Sequence, residues 1–197
     1  LIYRDGEGML ELPHPGLPGL HQVDNAGLAV ATLRASGLSL PAQAWAGLAH
    51  AHWPARLQQL HGALAQLLPD GWDLWLDGGH NPGAGEALAR VMQGWSNRSV
   101  HLIVGMKQTK DASGFLAPLL PHAASVQAVA EPEQHLALPV ADIIAAGQGR
   151  VTAGPTIRAA LEHLSHDMPS HPPARVVICG SLYLAGVALQ QDGWRAT

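Results

Sequence analysis

Beyond Trp53-Pro54 the chain alternates between short apolar runs and segments of helical period, which limits it to an α/β layer fold on a mostly parallel sheet. Strands are expected at residues 56–60, 73–77, 100–104, 125–129 and 175–179, and helices at 82–94, 112–120, 140–146, 155–166 and 182–190. The helix opening at Pro82 puts Ala84, Leu88, Val91 and Met92 on one face, so its packing side is legible. The Pro-rich stretch 168–173 reads as a loop ahead of the last strand.

The first fifty residues follow a different pattern. Asp5-Gly6-Glu7-Gly8 is a hairpin-type turn between two short strands, and Pro13, Pro15 and Pro18 then keep the chain extended. From Gln22 an apolar stripe of Val23, Ala26, Leu28, Ala29, Val30 and Leu33 predicts a helix ending near Gly37, with a second short helix at about 41–50. The proline in His52-Trp53-Pro54-Ala55-Arg56 interrupts the helical pattern and marks a domain boundary. Because the chain begins at Leu1, in what reads as the middle of a strand, it is expected to be the C-terminal part of something longer.

Composition narrows the function classes. With 197 residues, 47% of them hydrophobic, the chain can bury a sizeable core. A net charge of −4 without any Lys/Arg cluster gives no electrostatic footprint for nucleic acid or an anionic membrane surface, so the expected partners are small anions met by a few placed cations. One cysteine, Cys179, cannot form an internal disulfide and reads as a buried small hydrophobe. No stretch approaches the ~20 apolar residues that span a bilayer, and no secretory signal pattern opens the chain, so the cytoplasm is the expected compartment. The 12 histidines show no ligand spacing with paired cysteines or carboxylates, so no zinc site is expected at His50 and His52 or at His163 and His166.

The segment with most chemical content is Leu74-Trp75-Leu76-Asp77-Gly78-Gly79-His80-Asn81-Pro82. An apolar strand delivers Asp77 to the carboxyl edge of the sheet, two glycines allow a tight turn, Asn81 can cap the next helix and Pro82 suits its first position. The positive end of that helix then faces the edge where ligands of α/β sheets bind, and His80 can donate to a phosphate oxygen. Asp77, acceptor-only when ionised, suits a ribose hydroxyl or the orienting of a neighbour. Arg56 offers a bidentate phosphate grip just after the Trp53-Pro54 break. Lys110, with Lys107 an equally placed rival, leaves the next strand beside Asp111, a cap for the following helix. Ser181 caps the last helix after a third strand–glycine junction and can reach a ligand carboxylate. Asn25, in the first helical turn, has the paired donor and acceptor of an adenine contact, as well as those of an ordinary cap. Gly-x-Ser-x-Gly and Gly-x-Gly-x-x-Gly are both absent, which weighs against hydrolase and dinucleotide readings.

In this order, Gly19-Leu20-His21-Gln22 with Asn25-Ala26, Trp53-Pro54-Ala55-Arg56-Leu57-Gln58, Leu76 to Pro82, Lys110-Asp111 and Cys179-Gly180-Ser181-Leu182-Tyr183-Leu184 resemble the C-terminal part of folylpolyglutamate synthase/dihydrofolate synthase, a relative of the Mur ligases. The resemblance implies residues 1–50 as the C-terminal tail of a central ATP-binding domain. Residues 51–197 are then a C-terminal glutamate-ligase domain, Rossmann-like, with a mostly parallel sheet, one antiparallel strand and flanking helices. It implies an ATP-dependent acid–amino-acid ligase that adds L-glutamate to dihydropteroate or to folate (poly)glutamates through an acyl phosphate. Carried over by position, Asn25 resembles the adenine contact, Arg56 the phosphate-gripping arginine, Asp77 a ribose or domain-closure contact and His80 a phosphate contact. Lys110, Ser181 and Tyr183 resemble the residues that hold the incoming glutamate.

The chain departs from the family pattern at Ala55, where glycine is usual, at Gly79, where alanine is common, and at Thr109, where an acidic residue often stands. It also lacks the Gly-x-x-x-x-Gly-Lys-[Ser/Thr] that cradles β- and γ-phosphates, so the P-loop and most Mg²⁺ ligands are expected in a missing N-terminal ATPase domain. The 197 residues alone are therefore expected to be monomeric, to bind ATP weakly and to turn nothing over. Three other readings remain: a Mur-type peptidoglycan amino-acid ligase, a non-catalytic nucleotide-binding or interaction domain, and a structural α/β domain with no ligand.

Overall fold

The computed structural model describes residues 1–132, 134, 136–167 and 172–195, so most of the Pro-rich stretch 168–173 lies outside the described residues. The chain forms two compact units, Leu1–Pro54 and Ala55–Thr197.

In the first unit β1 (Ile2–Asp5) and β2 (Gly8–Glu11) pair antiparallel, with Asp5 opposite Gly8 across the turn. Helix α1 (His21–Ala35) ends with Arg34 bound to Asp5 at 3.0 Å and to Glu7 at 2.8 Å, which ties its last turn to the hairpin. Its buried face differs from the apolar stripe read in the sequence. Gln22, Ala26 and Val30, spaced by four, are buried, while Leu28 is 68% exposed and Ala29 and Leu33 also face solvent. The segment Ala42–His50 is helical but of the tighter 3₁₀ type.

The second unit is a six-stranded sheet in the order β3-β4-β8-β5-β6-β7, with β3 (Gln58–Leu60) antiparallel to β4 (Asp73–Leu76) and every other pair parallel. Strands β5 (Val100–Val104) and β8 (Arg175–Cys179) are covered on both faces, which is why they read as continuous apolar runs. Alternate residues feed two cores: Leu102, Val104 and Val177 pack with Phe115 and Leu88, and Ile103, Val176 and Ile178 pack with Leu161 and Leu184. Helix α2 (Pro82–Gly94) buries Leu88 and Met92, with Ala84 and Val91 half-buried against the same core.

Several boundaries moved for physical reasons. Strand β3 starts at Gln58 because Ala55 and Leu57 take left-handed φ values of 56° and 46°. Helix α3 stops after Ala112–Leu116: Ala117 is still helical, but Pro118 has no N–H with which to continue the helical hydrogen bonds. Strand β6 (Ser125–Ala128) and helix α4 (Val140–Ala146) precede β7 (Val151–Ala153), an edge strand absent from the expected set; it has three residues, two of them exposed. Helix α5 (Ile157–Asp167) starts where the Glu131 carboxylate accepts the Ile157 N–H at 2.6 Å, and α6 (Leu182–Asp192) follows β8. Among the described residues no helix is long and apolar enough to cross a membrane.

Candidate functional site

Three neighbouring strands, β4, β8 and β5, run their carboxyl ends to one rim of the sheet. The loops that leave them are Asp77 to His80, Gly180 to Tyr183 and Gly105 to Lys110. These are far apart in sequence, and they meet because β8 inserts between β4 and β5. Gly180 makes the tight exit from β8, with φ +105°; a Cβ there would lie 2.9 Å from the Gly105 carbonyl oxygen.

A cavity of about 220 Å³ opens at this rim, lined by His80, Lys107, Lys110, Ser181 and Tyr183, with Thr109, Gly180 and Leu182 completing the wall. Four of the seven residues singled out in the sequence, His80, Lys110, Ser181 and Tyr183, therefore share one pocket. Lys107, the rival to Lys110, joins them. A signal for both was present in the sequence: they are the only two lysines of the chain.

The rim is held by capping. Asn81 Oδ1 accepts the Ala84 N–H at 2.9 Å, with Pro82 in the first helical turn, and Asp111 Oδ1 accepts the Gly114 N–H at 2.9 Å. Ser181, 3% exposed, caps α6 by accepting the Tyr183 N–H at 3.1 Å. That bond uses a lone pair on Oγ, so the hydroxyl proton remains able to donate to a ligand.

His80 Nδ1 lies 3.0 Å from the Gly78 carbonyl oxygen, which can only accept, so the proton sits on Nδ1. Nε2 is then an acceptor in the neutral ring and donates to an anion only when the ring is imidazolium.

Asp77 organises the turn from within. One carboxylate oxygen accepts the Gly79 N–H at 2.7 Å and the other accepts the Leu57 N–H at 3.0 Å. The Gly78 N–H donates to the Ala55 carbonyl at 2.8 Å, and Gln58 Oε1 accepts the Ala55 N–H at 3.0 Å. Arg56 thus rides on a short arch between two left-handed residues, pinned on both sides to the turn that carries His80. Its half-buried side chain makes no hydrogen bond or ion pair among the described residues, and it lies outside the pocket lining. At Gly79 a Cβ would lie 2.8 Å from Asp77 Oδ1 and 2.9 Å from the Ala84 Cβ, so this chain's glycine matches its own close packing.

Asn25 belongs to the first unit, is exposed, and donates to Gln22 Oε1 at 3.0 Å. Cys179 is 1% exposed at the end of β8, and burial, with the Asp77 charge second, pushes its thiol far above the ordinary range. Among the described residues no three His, Cys, Asp or Glu side chains stand close enough to hold a metal ion.

The doubly covered sheet with a cationic pocket at the carboxyl ends of adjacent parallel strands defines a Rossmann-like domain. The sequence profile of the dihydrofolate synthetase C-terminal domain matches residues 63–191, and the chain belongs to that family. It is 28% identical over 193 residues to the folylpolyglutamate synthase of Lacticaseibacillus casei, an alignment covering 95% of this chain and 42% of that protein. Among solved structures it resembles Mycobacterium tuberculosis folylpolyglutamate synthase complexed with ADP and AMPPCP, at TM-score 0.77 and 27% identity, covering 96% of this chain and 44% of the other. It also resembles a bifunctional folylpolyglutamate synthase/dihydrofolate synthase with Mn, AMPPNP and L-glutamate bound, at TM-score 0.74 and 27% identity, covering 95% and 43%. The chain thus spans less than half the length of each of these relatives.

Proposed function

We propose that these residues are the glutamate-presenting portion of an ATP-dependent ligase that adds L-glutamate to dihydropteroate or to folate (poly)glutamates. The observation that carries this reading is the pocket itself: His80 and both lysines of the chain converge there with the capping Ser181, and no carboxylate lines it. Such a lining attracts an anion of two carboxylates and repels cations. Relatives of known structure hold ADP, AMPPCP or L-glutamate, which supports nucleotide and glutamate as the ligands.

In this reading ATP transfers its γ-phosphoryl group to the substrate carboxylate, giving ADP and an acyl phosphate. The unprotonated amino group of glutamate then attacks the acyl carbon, and phosphate leaves as the amide forms. Arg56 grips the phosphates through its guanidinium fork, and His80, as imidazolium, donates from Nε2 to a phosphate oxygen. Ser181 and Tyr183 hold the carboxylates of glutamate together with a pocket lysine, Lys110 by the family resemblance and Lys107 as its rival, and Asn25 meets adenine. Asp77 holds the Arg56 arch and the His80 turn together, and by the family resemblance it meets a ribose hydroxyl or takes part in domain closure.

The Mg²⁺ that accompanies the nucleotide gains no cluster of three ligands among the described residues. Its ligands and the P-loop belong, in this proposal, to an N-terminal ATPase domain. Residues 1–50 would be the tail of that domain, and residues 51–197 the glutamate-ligase domain. The same reading makes the protein monomeric and cytoplasmic, with no nucleic-acid or membrane partner.

The test uses the protein that joins these residues to a P-loop domain, assayed with dihydropteroate, folates and UDP-muramyl peptides. Arg56→Ala and His80→Ala each lower kcat/KM for glutamate addition about a hundredfold, as expected for groups that stabilise transferring charge. Unchanged rates, or preference for the muramyl peptides, overturn the proposal. The 197 residues alone bind ATP weakly and make no amide.

A further inference from the structure

The two lysines of the pocket are not equivalent. Lys107 follows Met106, which is fully buried, and its backbone is fixed by a bridge to Ala137 and by the Leu138 N–H, which donates to the Met106 carbonyl at 2.8 Å. Its ammonium sits 4.6 Å from the centre of the Tyr183 ring, within the range of cation–π attraction. Lys110 stands three residues on at the exposed end of the same loop, next to Asp111, whose carboxylate is occupied as the cap of α3.

A lysine side chain gives up rotamer freedom when a ligand fixes it. Lys107 has met part of that cost already, because the aromatic face holds its charge at the pocket wall before any anion arrives. Lys110 has not. Half-buried and preorganised, Lys107 also meets a carboxylate with less competing water than an exposed lysine does.

We infer that Lys107, held by the Tyr183 ring, is the cation that grips the amino-acid carboxylate in this pocket, and that Lys110 acts mainly by long-range attraction. The inference rests on glutamate being the pocket's ligand, and it assigns the contact to the residue that the family resemblance does not.

The scarcity of lysine supplies the experiment. Reductive ¹³C-methylation of the 197-residue chain preserves charge and labels only Lys107, Lys110 and the N-terminus, with Lys107→Arg and Lys110→Arg assigning the signals. The Lys107 methyl resonance is displaced by the Tyr183 ring current. On titration with L-glutamate it moves saturably and by more than that of Lys110. Tyr183→Phe keeps the ring and the ring-current displacement of Lys107, whereas Tyr183→Leu collapses that displacement and weakens glutamate binding about tenfold. Lys107→Met weakens it at least tenfold and Lys110→Met no more than about threefold, in line with a preorganised against an exposed ion pair. A Lys110 signal that moves while Lys107 stays still overturns this inference and leaves the pocket reading standing. No movement of either signal at saturating L-glutamate overturns both.

Discussion

Replacing Asp77 by alanine removes the acceptor of two backbone N–H groups at once, those of Gly79 at 2.7 Å and Leu57 at 3.0 Å. Hydrogen bonds to a charged group contribute about 1.5–3 kcal/mol each, and the half-exposed setting of this carboxylate lowers that to about 1–2. The loss summed over the two bonds is therefore about 2–4 kcal/mol. Asp77→Asn retains one carbonyl acceptor and turns an NH₂ donor against the other N–H, so it is expected to cost about half as much. Urea denaturation of the 197-residue chain measures both, read as a lower midpoint at unchanged m value. Amide exchange at Leu57 and Gly79 reports whether the loss is local. An Asp77→Ala chain destabilised by less than about 0.5 kcal/mol, or one in which the Leu57 amide keeps its protection, refutes the idea that this carboxylate holds the Arg56 arch to the His80 turn.

Ala55, held at φ 56°, sits in the region that glycine adopts without strain, so Ala55→Gly stabilises the chain by about 1 kcal/mol and Ala55→Val destabilises it by more than that; thermal unfolding of the pair checks the sign. Cys179, whose thiol is raised first by burial and then by the Asp77 charge, stays protonated and inert to a thiol reagent until the fold opens. A raised folded value means that the unfolded chain releases its proton first. Stability is therefore whole below the ordinary thiol value of about 8.5 and falls as pH climbs above it, and Cys179→Ala flattens that decline between about pH 8.5 and 10.

What the sequence disclosed followed from local chemistry. Strands covered on both faces, at Val100–Val104 and Arg175–Cys179, have unbroken apolar runs with sharp ends, and helices α2 and α4 have legible limits, α2 opened by Asn81-Pro82. Strand β7 was illegible because three residues at an edge leave no period to read. The stripe on α1 misled because Leu28 and Leu33 are apolar yet exposed, while Gln22 is polar and buried. Each rim residue was visible as the end of a strand or the start of a helix, but their meeting in one pocket depends on strand order, which no local pattern encodes. Nothing in the letters Ala55 and Leu57 signals left-handed backbone, since any glycine preference is absent there. What sets Lys107 apart from Lys110 is the Tyr183 ring, which comes from a distant part of the chain.

Strand β8 is the last strand among the described residues and the one to which both β4 and β5 pair. Without residues 175–179 the sheet has no strand to join β3 and β4 to β5, β6 and β7, and the facing edges of β4 and β5 lose their hydrogen-bonding partner. A truncation upstream of Arg175 is therefore expected to expose two unpaired strand edges and to aggregate, not merely to lose the last helix.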